Sequence, residues 1–295
     1  MPAIWAGFRS IESLRAMNEP PRLNAEFIDL IQRPDDSLEL ARAALLVAAE
    51  CDANLDVQGE LSRIREWGDE LARRIEPEWN NLQRLARLRA FLFEELGFRG
   101  DRSDYFSPSN SLLHEVVQRR RGIPLTLGIL MLELGWRVGM PLEGVGFPGH
   151  FLVRLAGEPA DVLLDPFSRG MVVREADCER MLADSTKGRM SFEPGMIASV
   201  RRRDMLLRLL NNLKNAYLRQ GADALALGVV HHLIALSPDD AEETRDRGLL
   251  LFRLHRYGQA LECLKTYLAA APQAADREVI EKHCGALRQL IASLN

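Results

Sequence analysis

Between Gly122-Ile-Pro124 and Gly139-Met-Pro141 lies a run, Leu125–Val138, that is apolar on nearly every side. A helix without a polar face has to be buried all round. Its strongly apolar part, Leu125–Leu132, ends at Glu133, far short of the roughly 20 residues that a membrane span needs. The rest of the chain must therefore wrap this segment. Pro124 suits the first turn of such a helix, where a missing N–H costs nothing. Downstream the pattern becomes strand-like: Leu142–Phe147, His150–Leu155, Val162–Phe167 and Gly170–Val173 read as a small antiparallel sheet.

The middle strands can be paired by hand. His150–Leu155 and Ala160–Asp165 flank Ala156-Gly-Glu-Pro159, a four-residue loop of a length common in hairpins. Centring the turn between Gly157 and Glu158 makes paired positions sum to 315 (151 with 164, 153 with 162). Phe151 then faces Leu164 and Val153 faces Val162 on one apolar face. In that register His150 lies opposite Asp165 on the other face, with Cβ atoms about 4.5–5.5 Å apart. A carboxylate at that distance orients the imidazole and sets its tautomer. A ring so held ordinarily serves a nucleophile, and the N-terminus of the buried helix is where a thiolate would be favoured. That place is Pro124, which has no nucleophilic atom. Thr126 is nearest in sequence, yet two residues along a helix turn it roughly 200° away from Pro124, and sequence alone does not place Ser109, Ser111, Cys51 or Cys178 relative to His150.

Gly122-Ile-Pro124, the Gly139-Met-Pro141 break, His150 and Asp165 resemble the transglutaminase-like core of the papain-type superfamily. Its enzymes carry Gly-x-Cys at the helix start, then His and Asp on successive strands. On this match Gly122 takes the glycine, His150 the histidine and Asp165 the aspartate, while Pro124 falls on the cysteine. More closely, Asn110-Ser-Leu-Leu-His-Glu-Val, Arg119-Arg120, Gly144-Val-Gly-Phe-Pro-Gly-His-Phe-Leu-Val-Arg154 and Leu164-Asp-Pro-Phe167 resemble the bacterial SirB-type family. That resemblance runs from about Ala43 onward. It implies the same core joined to tetratricopeptide-like repeats, commonly with proline where the thiol would be. It also implies a triad remnant, His150 with Asp165, and makes Asn110, Arg120, Gly122 and Gly149 candidate cleft residues. Asn110 or Ser111 can cap the helix through Leu112, Leu113, Val116 and Val117, and for Asn110 capping is the cheaper reading. His114 reads as a surface residue of that helix. His150 and Asp165 satisfying one another in a purely structural role is a further reading.

Residues 1–24 show no period, and Pro20-Pro21 marks them as a loose arm. Helical spacing starts at Ala25, and Asp36-x-x-Glu39 resembles a capping box ahead of Leu38–Ala48. About three amphipathic helices follow to Leu92, each short of partners for its apolar stripe, so this bundle is expected to pack on the core. Beyond the sheet come a helix, Glu175–Asp184, and a low-periodicity linker, Lys187–Gly195. From Arg201 the chain repeats. Pro238 and Pro272 are 34 residues apart, the period of the tetratricopeptide helix pair. In that frame Ala226 matches Ala260, Tyr217 matches Leu251, and Val230 matches Leu264. Lys214 stands where Gly248 supplies the expected glycine. Two repeats and a closing helix are few for a free-standing solenoid, so they are expected to lean on the core.

The net charge of −4 gives no reason to expect nucleic acid or an anionic membrane as partner. Arg119–Arg121 and Arg201–Arg203 read as ion-pairing or solvated runs. The four cysteines, Cys51, Cys178, Cys263 and Cys284, show no CxxC and no spacing with histidine that would hold a metal. They read as reduced thiols, with no metal and no cofactor. Met1–Ser10 lacks the basic start and apolar run of a signal peptide, and a cytoplasmic location is expected.

The expected fold class is α+β. A helical N-terminal bundle (1–105) packs on a transglutaminase-like core of buried helix plus small antiparallel sheet (106–196). An all-α tetratricopeptide-like domain (197–295) follows. The expected function is a non-catalytic protein that binds a protein or peptide partner through residues 197–295. The alternative is a hydrolase or acyl-transfer enzyme using His150 and Asp165 with a non-standard nucleophile. The oligomeric state stays open.

Overall fold

The computed structural model describes residues 23–294 apart from 53 and 158–160. The N-terminal arm with Pro20-Pro21 and the Glu158-Pro159 turn lie outside the described residues. Four helices come first: α1 (Ala25–Gln32), α2 (Leu40–Cys51), α3 (Val57–Ala72) and α4 (Asn81–Arg89), the last continuing into a π turn, Ala90–Glu95. The Asn24, Asp56 and Asn80 side chains cap α1, α3 and α4, and Asn80 forms a full capping box with Gln83. The box expected from Asp36 and Glu39 does not form. Residues Asp35–Ser37 make a 3-10 turn, and α2 starts at Leu40 without a local side-chain cap. Its first-turn amide at Ala41 donates instead to Glu133 Oε1 at 3.0 Å, the one acid of the apolar run.

That run forms α6 (Pro124–Arg137), buried from Pro124 to Leu132 and again at Leu134 and Gly135. It follows β1 (Arg99–Gly100), α5 (Leu113–Arg119) and β2 (Arg121–Gly122), the two short strands pairing in parallel. Gly128 and Gly135, two turns apart, lie where a Cβ would strike the Phe151 ring and the Leu142 side chain. They let α6 lie flat on the sheet. The sheet contains β3 (Leu142–Val145), β4 (Leu152–Leu155), β5 (Val162–Asp165), β6 (Met171–Val173) and β7 (Ser199–Val200), ordered β6-β5-β4-β3-β7. The β7 edge strand lies just past the linker and carries no alternation long enough to be read from sequence.

The hairpin register corrects the expected one. Val153 pairs with Leu164, Arg154 with Leu163 and Leu155 with Val162, so positions sum to 317 (153 plus 164) and not 315. The connection is longer than a four-residue loop, and the Gly157 amide donates to Asp161 Oδ1 across it at 3.2 Å. A slip of two keeps every residue on its face, because the strand period is two. One face, with Phe151, Val153, Leu155 and Leu164, joins the main core around α6. The other, with Val145, Leu152, Leu163 and Val173, buries Cys178 and Leu182 of α7 (Glu175–Thr186).

The C-terminal part is α8 (Arg202–Gln220), α9 (Asp223–Leu236), α10 (Ala241–Arg253), α11 (Tyr257–Ala270) and α12 (Arg277–Leu294). Ala226 and Ala260 are fully buried where helices cross, as the 34-residue frame requires. Lys214 reaches across to α10, where its Nζ donates to both Glu243 oxygens at 2.6 and 2.8 Å and to Asp246 at 2.9 Å. Helix α8 also joins the repeats to the rest. Asp35 accepts the Arg202 and Arg203 amides, each at 2.9 Å, and so caps α8 from a distant turn. The Arg202 guanidinium lies 4.0 Å from the Trp136 ring centroid. One apolar cluster extends from Phe27 through α6 to Leu287. No helix among the described residues is long and apolar enough to cross a membrane.

Candidate functional site

Pro148-Gly149 turns the chain between β3 and β4, with Gly149 at φ +72°. A Cβ there would also collide with Ser185, so glycine is needed for both backbone and space. His150 follows on this turn, before the strand proper, and its amide donates to the Phe147 carbonyl at 3.0 Å. Asp165 ends β5, where Pro166 breaks the ladder. His150 Nε2 lies 2.8 Å from Asp165 Oδ1. Because the register is 317, the two meet diagonally from a turn and a strand end, and not as a directly opposed pair. With Nε2–H donating to the carboxylate, Nδ1 of the neutral ring is the free basic nitrogen.

Burial alone would raise the Asp165 carboxyl. The hydrogen bond and charge of His150, the Ser168 hydroxyl and the Phe167 amide outweigh it and hold the carboxyl below its usual range. The Phe167 amide donates to Asp165 Oδ1 at 2.9 Å, and the Phe167 ring meets the imidazole edge to face at 6.2 Å.

His150 and Pro124 share a cleft of about 130 Å³, lined also by Tyr105, Gly149, Arg208 and Asn212. Arg208 comes from α8, and sequence spacing could not have placed it here. Its guanidinium donates to the Phe147 carbonyl and to the His150 carbonyl, so α8 clasps the turn that carries the histidine. Burial pulls this guanidinium below its usual value. Burial likewise pushes the Tyr105 phenol up, with Arg208 opposing, so the phenol stays protonated near neutral pH.

The remaining cleft candidates separate from this site. Asn110 is fully buried in a 3-10 turn and caps nothing, since α5 starts after Leu112 without a side-chain cap. Its Nδ2 donates to the Asp104 carbonyl at 2.7 Å, and its Oδ1 accepts from Arg119 at 2.6 Å. His114 is buried as well, at 3% exposure, so the surface reading fails. Arg120 takes the left-handed position ending α5 and points away from the cleft. Its guanidinium lies 4.4 Å from the Trp67 ring and 4.7 Å from Phe98. Gly122 serves packing, because a Cβ would strike the Thr126 hydroxyl and Val116. Thr126 Oγ1 donates to the Asn110 carbonyl at 2.9 Å and is fully buried, which removes it from the cleft. Cys178 lies under the other face of the sheet. No group of three or more His, Cys, Asp or Glu capable of holding a metal occurs among the described residues.

This core, and the repeats beyond it, match known proteins. Residues 58–211 match the transglutaminase-like superfamily, and residues 213–283 match the tetratricopeptide repeat. A UPF0162 protein of Xylella fastidiosa is 31% identical over 84% of this chain and 90% of its own length. One from Vibrio cholerae is 32% identical over 88% and 96%. The human F-box only protein 21 is 26% identical over 79% of this chain and 42% of its own length. The chain belongs to the transglutaminase-like superfamily and, within it, to the UPF0162 proteins.

Proposed function

We propose that this protein is a non-catalytic member of its superfamily, of the SirB type, that binds a partner protein. The observation that carries the reading is the lining of the cleft. Pro124 opens α6 beside His150, and no cysteine, serine or threonine among the described residues lines that cleft of about 130 Å³, Ser107 and Ser111 lining only the groove that adjoins it. Tetratricopeptide repeats fit a protein-interaction role. His150, Asp165 and Pro124 are then the remnant of a triad whose nucleophile position holds an imino acid. The three-part division at 1–105, 106–196 and 197–295 belongs to the same proposal, and so does a cytoplasmic location.

The second reading, acyl transfer from an unconventional nucleophile, is favoured by the His150–Asp165 bond itself. Within the cleft its available oxygen is Tyr105, whose raised phenol opposes it, and the adjoining groove offers the hydroxyls of Ser107 and Ser111. Labelling of the full chain with fluorophosphonate and iodoacetamide probes, in wild type and His150→Ala, separates the two. The non-catalytic reading expects no labelling that depends on the histidine. Labelling lost in His150→Ala would establish the second reading instead.

A further inference from the structure

The His150 cleft does not end at Asn212. It continues, through shared Tyr105, Ile123 and Asn212, into a groove of about 310 Å³ between the core and α8. Arg208, Asn212, Asn215 and Arg219 are spaced four, three and four residues apart, so a single stripe of α8 forms one wall. Both arginines are held by neutral groups. Arg208 is tied to two backbone carbonyls, and Arg219 lies 4.1 Å from the Phe106 ring centroid on the opposite wall. Among the described residues neither makes an ion pair, and the Asn212 and Asn215 amides have no hydrogen-bond partner.

Guanidinium charges without carboxylate partners, beside two amides free of protein partners, select a ligand rich in acceptors and negative charge. Eleven residues of helix separate the two guanidinium-bearing positions by about 16 Å. An extended peptide covers that distance in about five residues. A polyphosphate backbone would carry several charges over the same length, whereas the wall between the arginines presents amides and aromatic faces. We propose that this junction groove binds an extended acidic peptide of a partner protein, with one carboxylate at Arg208 beside His150 and another at Arg219. The proposal rests on the protein-binding reading and names its ligand class. It makes the vacated cleft and the first repeat helix one continuous binding surface.

The test uses the full-length protein and two fluorescein-labelled peptides, each with four serines between two terminal residues, glutamates in one and glutamines in the other. Fluorescence anisotropy should show the glutamate peptide binding at least tenfold more tightly. Arg219→Gln, a surface change, should cost about tenfold, while Arg180→Gln on α7 should cost nothing. Arg208→Gln should cost as much or more, with a thermal melt checking that it folds. Equal affinity for the two peptides, or equal losses in Arg219→Gln and Arg180→Gln, would overturn the groove assignment. Competition by oligothymidylate as strong as by the glutamate peptide would overturn it as well, in favour of a phosphate ligand. A peptide bound with no sensitivity to Arg219 would overturn the groove but leave a partner-binding role standing. Failure of the non-catalytic reading would appear separately, as His150-dependent probe labelling.

Discussion

Asp165 is where residue-level energetics can be tested. Its carboxylate holds the His150 ring, accepts the Phe167 amide and has a lowered affinity for protons. Asp165→Ala leaves a half-buried imidazole N–H and an amide unpaired, which should cost about 1–2 kcal/mol of stability. The sign of the pH dependence follows from the downward shift. The contribution is complete above the unfolded carboxyl value of about 3.9 and is lost as pH falls through the lower folded value. Denaturant melts of wild type and Asp165→Ala should therefore differ at pH 7 and converge in strong acid. A difference unchanged by acid would mean that the carboxylate form is not what holds the histidine.

Lys214 shows an element-level conflict between a repeat consensus and a particular packing. Gly248 sits against Leu264, where a Cβ has no room. At the matching position Lys214 instead projects a buried ammonium onto Glu243 and Asp246 of the next repeat. Restoring the consensus with Lys214→Gly strands the buried Glu243 carboxylate, which should cost about 3–5 kcal/mol. Helix glycine adds about 1 kcal/mol to that. Chemical denaturation giving a neutral or stabilised variant would show that the ion pair contributes nothing. The same scale explains what could be read from the chain without coordinates. Helix α6 and the repeats announce themselves through long local patterns, an unbroken apolar run and a 34-residue period. The face of each hairpin residue was legible because alternation is local, but the register was not, since Asp161 extends the loop in a way that spacing does not reveal. Asp35 caps a helix more than 160 positions away, and Asn110, a good local cap by composition, is used as a buried bridge between Asp104 and Arg119. Arg120, a cleft candidate by the family resemblance, turns to Trp67 and Phe98 because a left-handed residue redirects its side chain.

Across the whole molecule, α8 is the joint. Its N-terminus is capped by Asp35, its first turn covers Trp136, and its second turn sends Arg208 to the His150 turn. The exposed segment around Lys187–Gly195 is the place where a protease should cut first. Because one apolar cluster crosses that boundary, the two fragments should stay associated and elute together on gel filtration. Separation of the fragments without denaturant would refute the view that the repeats lean on the core.

On the proposed reading, His150 and Asp165 are a triad remnant beside a nucleophile position occupied by Pro124. Substituting Pro124→Cys and measuring the pH dependence of alkylation by iodoacetamide tests this most directly, since an N1 residue at a helix start tolerates the change. The new thiol is expected to titrate well below its ordinary value of about 8.5 and to return toward it when His150→Ala is added. A thiol titrating at its ordinary value with His150 in place would mean that His150 and Asp165 do not serve that position.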